Sequence, residues 1–154
     1  MYLKGELRYW FTEYNWNVCA TLTFADNTSN QRRERLLNLF LNKLDRKLHG
    51  NWVRKENRKC SRIVFAENNF LGTHLHYHLA LIIPNNYKGN IIKFCRELMR
   101  LWRSICGRSK IAEFKPIDDS MGWIDYITKD TMADNCDNWI IQSSVLSEND
   151  LLTK

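Results

Sequence analysis

Thr73-His74-Leu75-His76-Tyr77-His78-Leu79-Ala80-Leu81-Ile82 holds three of the four histidines of this 154-residue chain, at every second position. Leu75, Tyr77, Leu79 and Leu81 alternate with them and continue the pattern. That is the period of a half-buried strand, with the imidazoles on one face and the apolar residues on the other. Successive side chains on one face of a strand stand roughly 6.5–7 Å apart, from a rise of about 3.3 Å per residue. Two imidazoles at that spacing can turn toward one divalent ion, through Nε2 or Nδ1. Three alternating histidines therefore predict a metal site. Lone histidines on strands are ordinary polar residues.

Elements on either side must position them. Residues 17–24 are β-branched and aromatic-rich and read as a strand, with Val18, Ala20, Leu22 and Phe24 on one face and Cys19, Thr21 and Thr23 on the other. Residues 26–30 are a loop. Residues 31–49 read as a helix, from Leu37, Phe40, Leu41, Leu44 and Leu48, with Ser29 or Asn30 as cap and Gly50 at its end. A polar, basic connection follows to residue 59. Residues 61–67 form a second strand, and residues 68–72 turn the chain back so that the histidine strand completes a hairpin. A second helix over residues 91–105 buries Ile91, Phe94, Cys95, Leu98, Trp102 and Ile105. Residues 110–114 are a fourth strand. Asp118, Asp119 or Ser120 caps a short helix over residues 121–129. Leu7, Tyr9, Phe11 and Tyr14 fit either an early strand or a short helix. Trp139, Ile140, Ile141, Val145 and Leu146 are docking residues, and the tail after about residue 147 is expected to be loosely held.

This order suits one α+β domain over residues 1–154. Its simplest version is a ferredoxin-like antiparallel sheet with helices on one face and the active site on the open face. Apolar residues make up 44% and charged residues 26%, as in a globular chain with its own core. No apolar run is long enough to cross a membrane, and residues 1–8 do not read as a signal peptide. Five scattered cysteines without a C-x-x-C pair predict free thiols in a reducing, intracellular setting.

The formal charge is +6, and it is unevenly spread. Between Arg32 and Arg62 stand eleven Lys or Arg against three acids. A polyanion partner is the natural expectation. Lys43, Arg46, Lys47, Arg54, Lys55 and Arg58 are the candidate backbone contacts, and exposed members of Trp10, Trp16 and Trp52 are candidates for base stacking.

Taken in order, three short stretches resemble the HUH endonucleases, specifically the rolling-circle replication initiators of small plasmids, phages and single-stranded DNA viruses. Ala20-Thr21-Leu22-Thr23-Phe24 looks like their first motif, His76-Tyr77-His78 like their metal motif, and Tyr126-Ile127-Thr128-Lys129 like their nucleophile motif of single-tyrosine type. Together they span about 110 residues. Each is weak alone, and the ordered set is specific. His74-Leu75-His76 satisfies the metal pattern too; the apolar run after His78 favours the later pair and leaves His74 as a further ligand or a neighbour.

The resemblance implies a metal site of Glu67, His76 and His78, holding Mn²⁺ or Mg²⁺. Asp26 and Glu13 are weaker ligand candidates. Tyr126 is the implied nucleophile, assisted by Lys129, on single-stranded DNA or a melted hairpin origin. Thr21 and Thr23 are expected beside the bound DNA. The helicase portion found in many viral relatives is not in this sequence, so the resemblance implies either a helicase supplied separately or a chain that is an excised nuclease domain. A relaxase or single-strand transposase of the same superfamily would use the same cut. A nucleic-acid-binding module without chemistry is the rival from another class, and no membrane partner is expected.

Overall fold

The computed structural model describes residues 2–25, 28–68, 75–84, 87, 89–107, 112–129 and 138–150. The elements are α1 (Tyr2–Thr12), β1 (Val18–Leu22), α2 (Asn30–His49), the single turn α3 (Trp52–Glu56), β2 (Arg62–Asn68), β3 (Leu75–Leu81), α4 (Ile91–Cys106), β4 (Glu113–Pro116) and α5 (Ser120–Ile127). The protein is a mixed α+β fold around an open, four-stranded antiparallel sheet, in the order β2-β3-β1-β4.

Local chemistry sets the helix ends. Ser29 caps α2 by accepting from the Arg32 amide at 3.3 Å, and Gly50 closes that helix at φ +56°. Asn90 caps α4, and Gly107 ends it at φ +73°. In both cases glycine supplies the left-handed backbone that other residues resist. Of the three cap candidates for α5, Asp119 serves, accepting from the Gly122 amide at 2.9 Å. A Cβ on residue 122 would lie 2.4 Å from the Asp119 carboxylate, so the cap itself requires glycine there.

The undecided N-terminal stretch is helical. Leu7 and Phe11 share its inward face at helical spacing, Tyr14 packs with them just beyond its end, and Tyr9, inward only in a strand, is 65% exposed. The basic connection after α2 contains the turn α3. The fourth strand lies slightly later than expected and ends on Pro116 at an edge, where a missing N–H costs no ladder bond.

Both sheet faces are covered, which differs from the expectation of helices on one face. α2 and α4 pack on the face of Val18, Ala20, Leu22, Val64, Tyr77, Leu79 and Leu81. α1, α5 and the segment around Trp139 and Leu146 pack on the face of Ile63, Phe65, Ala80 and Ile82. Those last four residues are apolar, and a face so composed needs a second layer. His76 and His78 share this second face and lie toward one end of it.

Residues 138–146 run along the outer edge of β2. Arg62 and Val145 exchange backbone bonds of 2.7 and 2.8 Å, while Ala66 and Val64 bond to Asn138 and Ile140. Arg62 and Asp45 form a buried ion pair at 2.6 Å, and Arg62 Nε donates to the Ser143 carbonyl. That cluster ties α2, the start of β2 and the C-terminal segment together. Among the described residues no helix is long and apolar enough to cross a membrane.

Candidate active site

The antiparallel register decides which side chains meet. Glu67 on β2 stands opposite His76 on β3, and His78 stands between Phe65 on one side and Thr21 on the other. Opposed residues share a face, and long side chains also reach diagonal neighbours. Glu67 uses the diagonal: its Oε2 lies 2.5 Å from His78 Nε2. The other ring nitrogen, Nδ1, lies 3.1 Å from Thr21 Oγ1.

α5 brings the third motif over this pair. The Tyr126 ring sits edge-on to His78, with centroids 5.3 Å apart. Trp123, one turn earlier, stacks on Tyr126 at 5.4 Å and donates its indole N–H to the Leu79 carbonyl at 3.1 Å. Ile124 and Ile127 anchor the helix in the second core, and Thr128 is buried with its hydroxyl donating to the Ile124 carbonyl. Lys129 follows the helix end. Its Nζ lies 2.5 Å from Glu67 Oε1 and 4.3 Å from the Tyr126 ring centroid. Tyr126 itself is 44% exposed, so a large substrate can reach it.

Burial works to raise the Glu67 carboxyl, but hydrogen bonds and charge from Lys129 and His78 outweigh it and hold the group below the usual carboxylate range. Burial pushes His78 below the usual imidazole value, against the opposing pull of Glu67. A neutral His78 facing an ionised Glu67 is the resulting state.

The donor types suit a hard or borderline divalent ion. His76 Nδ1 is buried without a hydrogen-bond partner, as a ligand nitrogen would be. The rings of His76 and His78 are 6.5 Å apart, the spacing expected of alternate strand residues. Among the described residues, however, no three of His, Cys, Asp or Glu close tightly enough to enclose an ion. Glu67 and His78 touch, and His76 stands beside them. His74 and Asp26 lie outside the described residues, and Glu13 lies in the turn that closes α1.

The basic candidates are elsewhere. α2 ends, and α3 follows, next to the start of β2, where Arg62 pairs with Leu81. Glu67 is five residues further along β2, or roughly 16 Å at a strand's rise. Lys55 and Arg58 flank Trp52 there. They stand 5.5 and 5.1 Å from its ring centroid, and the indole is 48% exposed. Arg58 also pairs with Glu56. Arg46 and Arg54 flank a shallow cleft with Gly50 and Asn51, and Lys43 is exposed. Lys47 is engaged by Glu97 at 2.7 Å and lies over Phe94, bracing α2 against α4. Trp16 is buried, and Trp10 packs edge-on against Trp139. Thr23 offers its carbonyl to the indole of Trp102 at 3.3 Å.

Sequence reasoning missed Trp123 as part of this site. Its signal was present: an aromatic residue three positions before the tyrosine, on the same helix face. No family model, curated protein or solved structure matches this chain.

Proposed function

We propose that this protein is a metal-dependent endonuclease of the HUH type, with a ferredoxin-like sheet. It would nick and rejoin single-stranded DNA at a replication origin through Tyr126. The observation that carries the reading is the meeting of Tyr126, Lys129, Glu67 and His78. Residues from the second and third motifs, far apart in sequence, come into direct contact. The β-α-β-β-α-β order of the sheet's core elements and the β4-β1-β3-β2 arrangement support the ferredoxin-like reading.

In this reading Glu67, His76 and His78 hold Mn²⁺ or Mg²⁺, which when bound supplies Lewis acidity toward a phosphate oxygen. The protein's own residues do the rest. Trp123 fixes the Tyr126 ring from one side, so that the phenol oxygen meets one phosphate at the protein surface. Lys129 lies where positive charge can favour the phenolate or offset charge gathering on the phosphoryl group. The phenol oxygen forms a bond to phosphorus, and the bond from phosphorus to the 3′ oxygen breaks. The phenol gives up one proton and the departing 3′ oxygen gains one. The product is a 5′-phosphotyrosine and a free 3′-hydroxyl. The reverse step rejoins the strand, because the ester bond is retained as an ester.

Incubation with single-stranded DNA carrying a hairpin origin and Mn²⁺, followed by mass mapping of the 5′-linked peptide, tests the proposal. A covalent adduct on Tyr126 is expected. Absence of any adduct with tight DNA binding would instead favour a binding module, the reading that the exposed Trp52 cluster on α3 supports. The sequence of the cleaved strand separates an initiator from a relaxase or single-strand transposase.

A further inference from the structure

His78 is held at both ring nitrogens, and the two partners differ in kind. Glu67 lies against Nε2 and the Thr21 hydroxyl lies against Nδ1. Thr21 is directly opposite His78 in the register of β1 and β3, so this contact is built into the sheet. The rings of Trp123 and Tyr126 pack edge-on against the imidazole at 5.9 and 5.3 Å and restrict its rotation.

Hydrogen accounting follows from the partners. An ionised carboxylate only accepts. Facing Glu67, Nε2 must carry the hydrogen, and in a neutral ring Nδ1 is then bare. The Thr21 hydroxyl donates to it. The same hydroxyl can also accept, by rotating about its C–O bond. If Nδ1 carries the hydrogen, Thr21 Oγ1 accepts it, and Nε2 presents a lone pair instead. A carbonyl or carboxylate in place of Thr21 would support only the second arrangement. An aliphatic side chain would support neither.

We propose that Thr21 is the positioning residue for His78, fixing its ring and serving both tautomers. One tautomer donates from Nε2 to Glu67, and the other offers Nε2 to a divalent cation. This rests on the reading of Glu67, His76 and His78 as the metal-holding set. It gives the first motif a function at the metal site in place of a contact to DNA.

Thr21→Val removes the hydroxyl and keeps the shape, while Thr21→Ser keeps the hydroxyl. Long-range ¹H–¹⁵N correlation on ¹⁵N-histidine protein reads the tautomer of His78 without any reaction, its signals assigned by their loss in His78→Gln. Mg²⁺ should convert the wild-type pattern from Nε2–H to Nδ1–H. Thr21→Val should shift the Nδ1 resonance before any metal is added. It should also weaken Mn²⁺ binding, followed by electron paramagnetic resonance, by about 10- to 100-fold. Thr21→Ser should restore both readouts. Wild-type affinity and unchanged ¹⁵N shifts in Thr21→Val would overturn the inference and leave the metal reading standing. A wild-type protein that binds neither ion would remove the metal reading, and the switch with it.

Discussion

Trp123 and Leu79 are joined across the second face of the sheet: the indole N–H donates to the backbone carbonyl of β3 at 3.1 Å. Leu79 directly follows His78, so this bond sets the height of α5 over the histidine strand. Tyr126 sits one turn further along, stacked on the same indole. Trp123→Phe keeps an aromatic ring and deletes the bond. A loss of about 1 kcal/mol in stability is expected by urea denaturation. The rate of adduct formation should fall by more than that loss implies, with DNA affinity unchanged. Equal effects on binding and rate would detach Trp123 from the chemistry.

Tyr126→Phe should fold as the wild type does, since the ring is partly exposed and its packing is retained. It should bind DNA and Mn²⁺ normally and form no covalent adduct. Lys129→Ala should retain a slow reaction, because the proposed nucleophile remains while the charge beside it is gone. Gel shift of denatured complexes measures both. An adduct on Tyr126→Phe protein would transfer the nucleophile's role to another tyrosine such as the exposed Tyr9, since Tyr77 is buried on the opposite face of the sheet.

The basic cluster on α3 lies at the other end of the sheet from Tyr126. Changing Arg54, Lys55 and Arg58 together to Ala should weaken single-stranded DNA binding. It should also reduce the slope of log affinity against log salt by up to about 2, the share of three backbone contacts. Single-turnover cleavage of a saturating oligonucleotide should hardly change. Lys47→Ala should behave differently, lowering stability through Glu97 and Phe94 and leaving the salt slope alone. An unaltered slope in the triple variant would place the DNA elsewhere.

Asp45 and Arg62 are both buried, with 1% and 5% of their side chains exposed. Asp45 also accepts from the Cys60 amide at 2.8 Å. Asp45→Ala leaves a buried guanidinium without its partner, and a cost of about 3–5 kcal/mol is expected. Hydrogen exchange should then accelerate across residues 138–146, since Arg62 also holds the Ser143 carbonyl. Protection that survives there would show that the strand pairing holds without the ion pair.

Burial pushes the Cys60 thiol up to about 12 and the Cys95 thiol up to about 11, from an ordinary value of 9.0. In each case folding favours the neutral thiol. The stabilisation is complete below pH 9 and is lost as pH rises toward the folded values, because the unfolded chain ionises first. Cys60 alone should contribute a decline of up to about 1.4 kcal/mol per pH unit in that window. Urea titrations at pH 8 and pH 10.5 should show a smaller drop for Cys60→Ala than for wild type.

Much of the scaffold was legible because period and punctuation agreed. Gly50 and Gly107 end helices whose apolar stripes are unambiguous, and the histidine alternation does mark a strand. α1 was ambiguous because Leu7, Tyr9 and Phe11 alternate while Leu7, Phe11 and Tyr14 follow a helix; only tertiary packing settles that tie. The covered second face was foreshadowed by Ile63 and Phe65, but periodicity alone names no partner layer. Glu67 could be linked to the histidines through the hairpin. The diagonal reach that puts it on His78 depends on register, which the turn sequence did not fix. Basic residues were chosen by clustering in sequence, a criterion blind to which end of the sheet they occupy.

Residues 138–146 seal the outer edge of β2, the strand that carries Glu67. During synthesis that edge must stay bare until Val145 has emerged, long after Glu67, His78 and Tyr126 are all available. An exposed edge of this kind is a template for pairing with another chain. A polypeptide stopped before residue 138 would therefore carry every proposed catalytic group and yet tend to self-associate. Emergence of residues 138–146 thus becomes a solubility checkpoint for the protein.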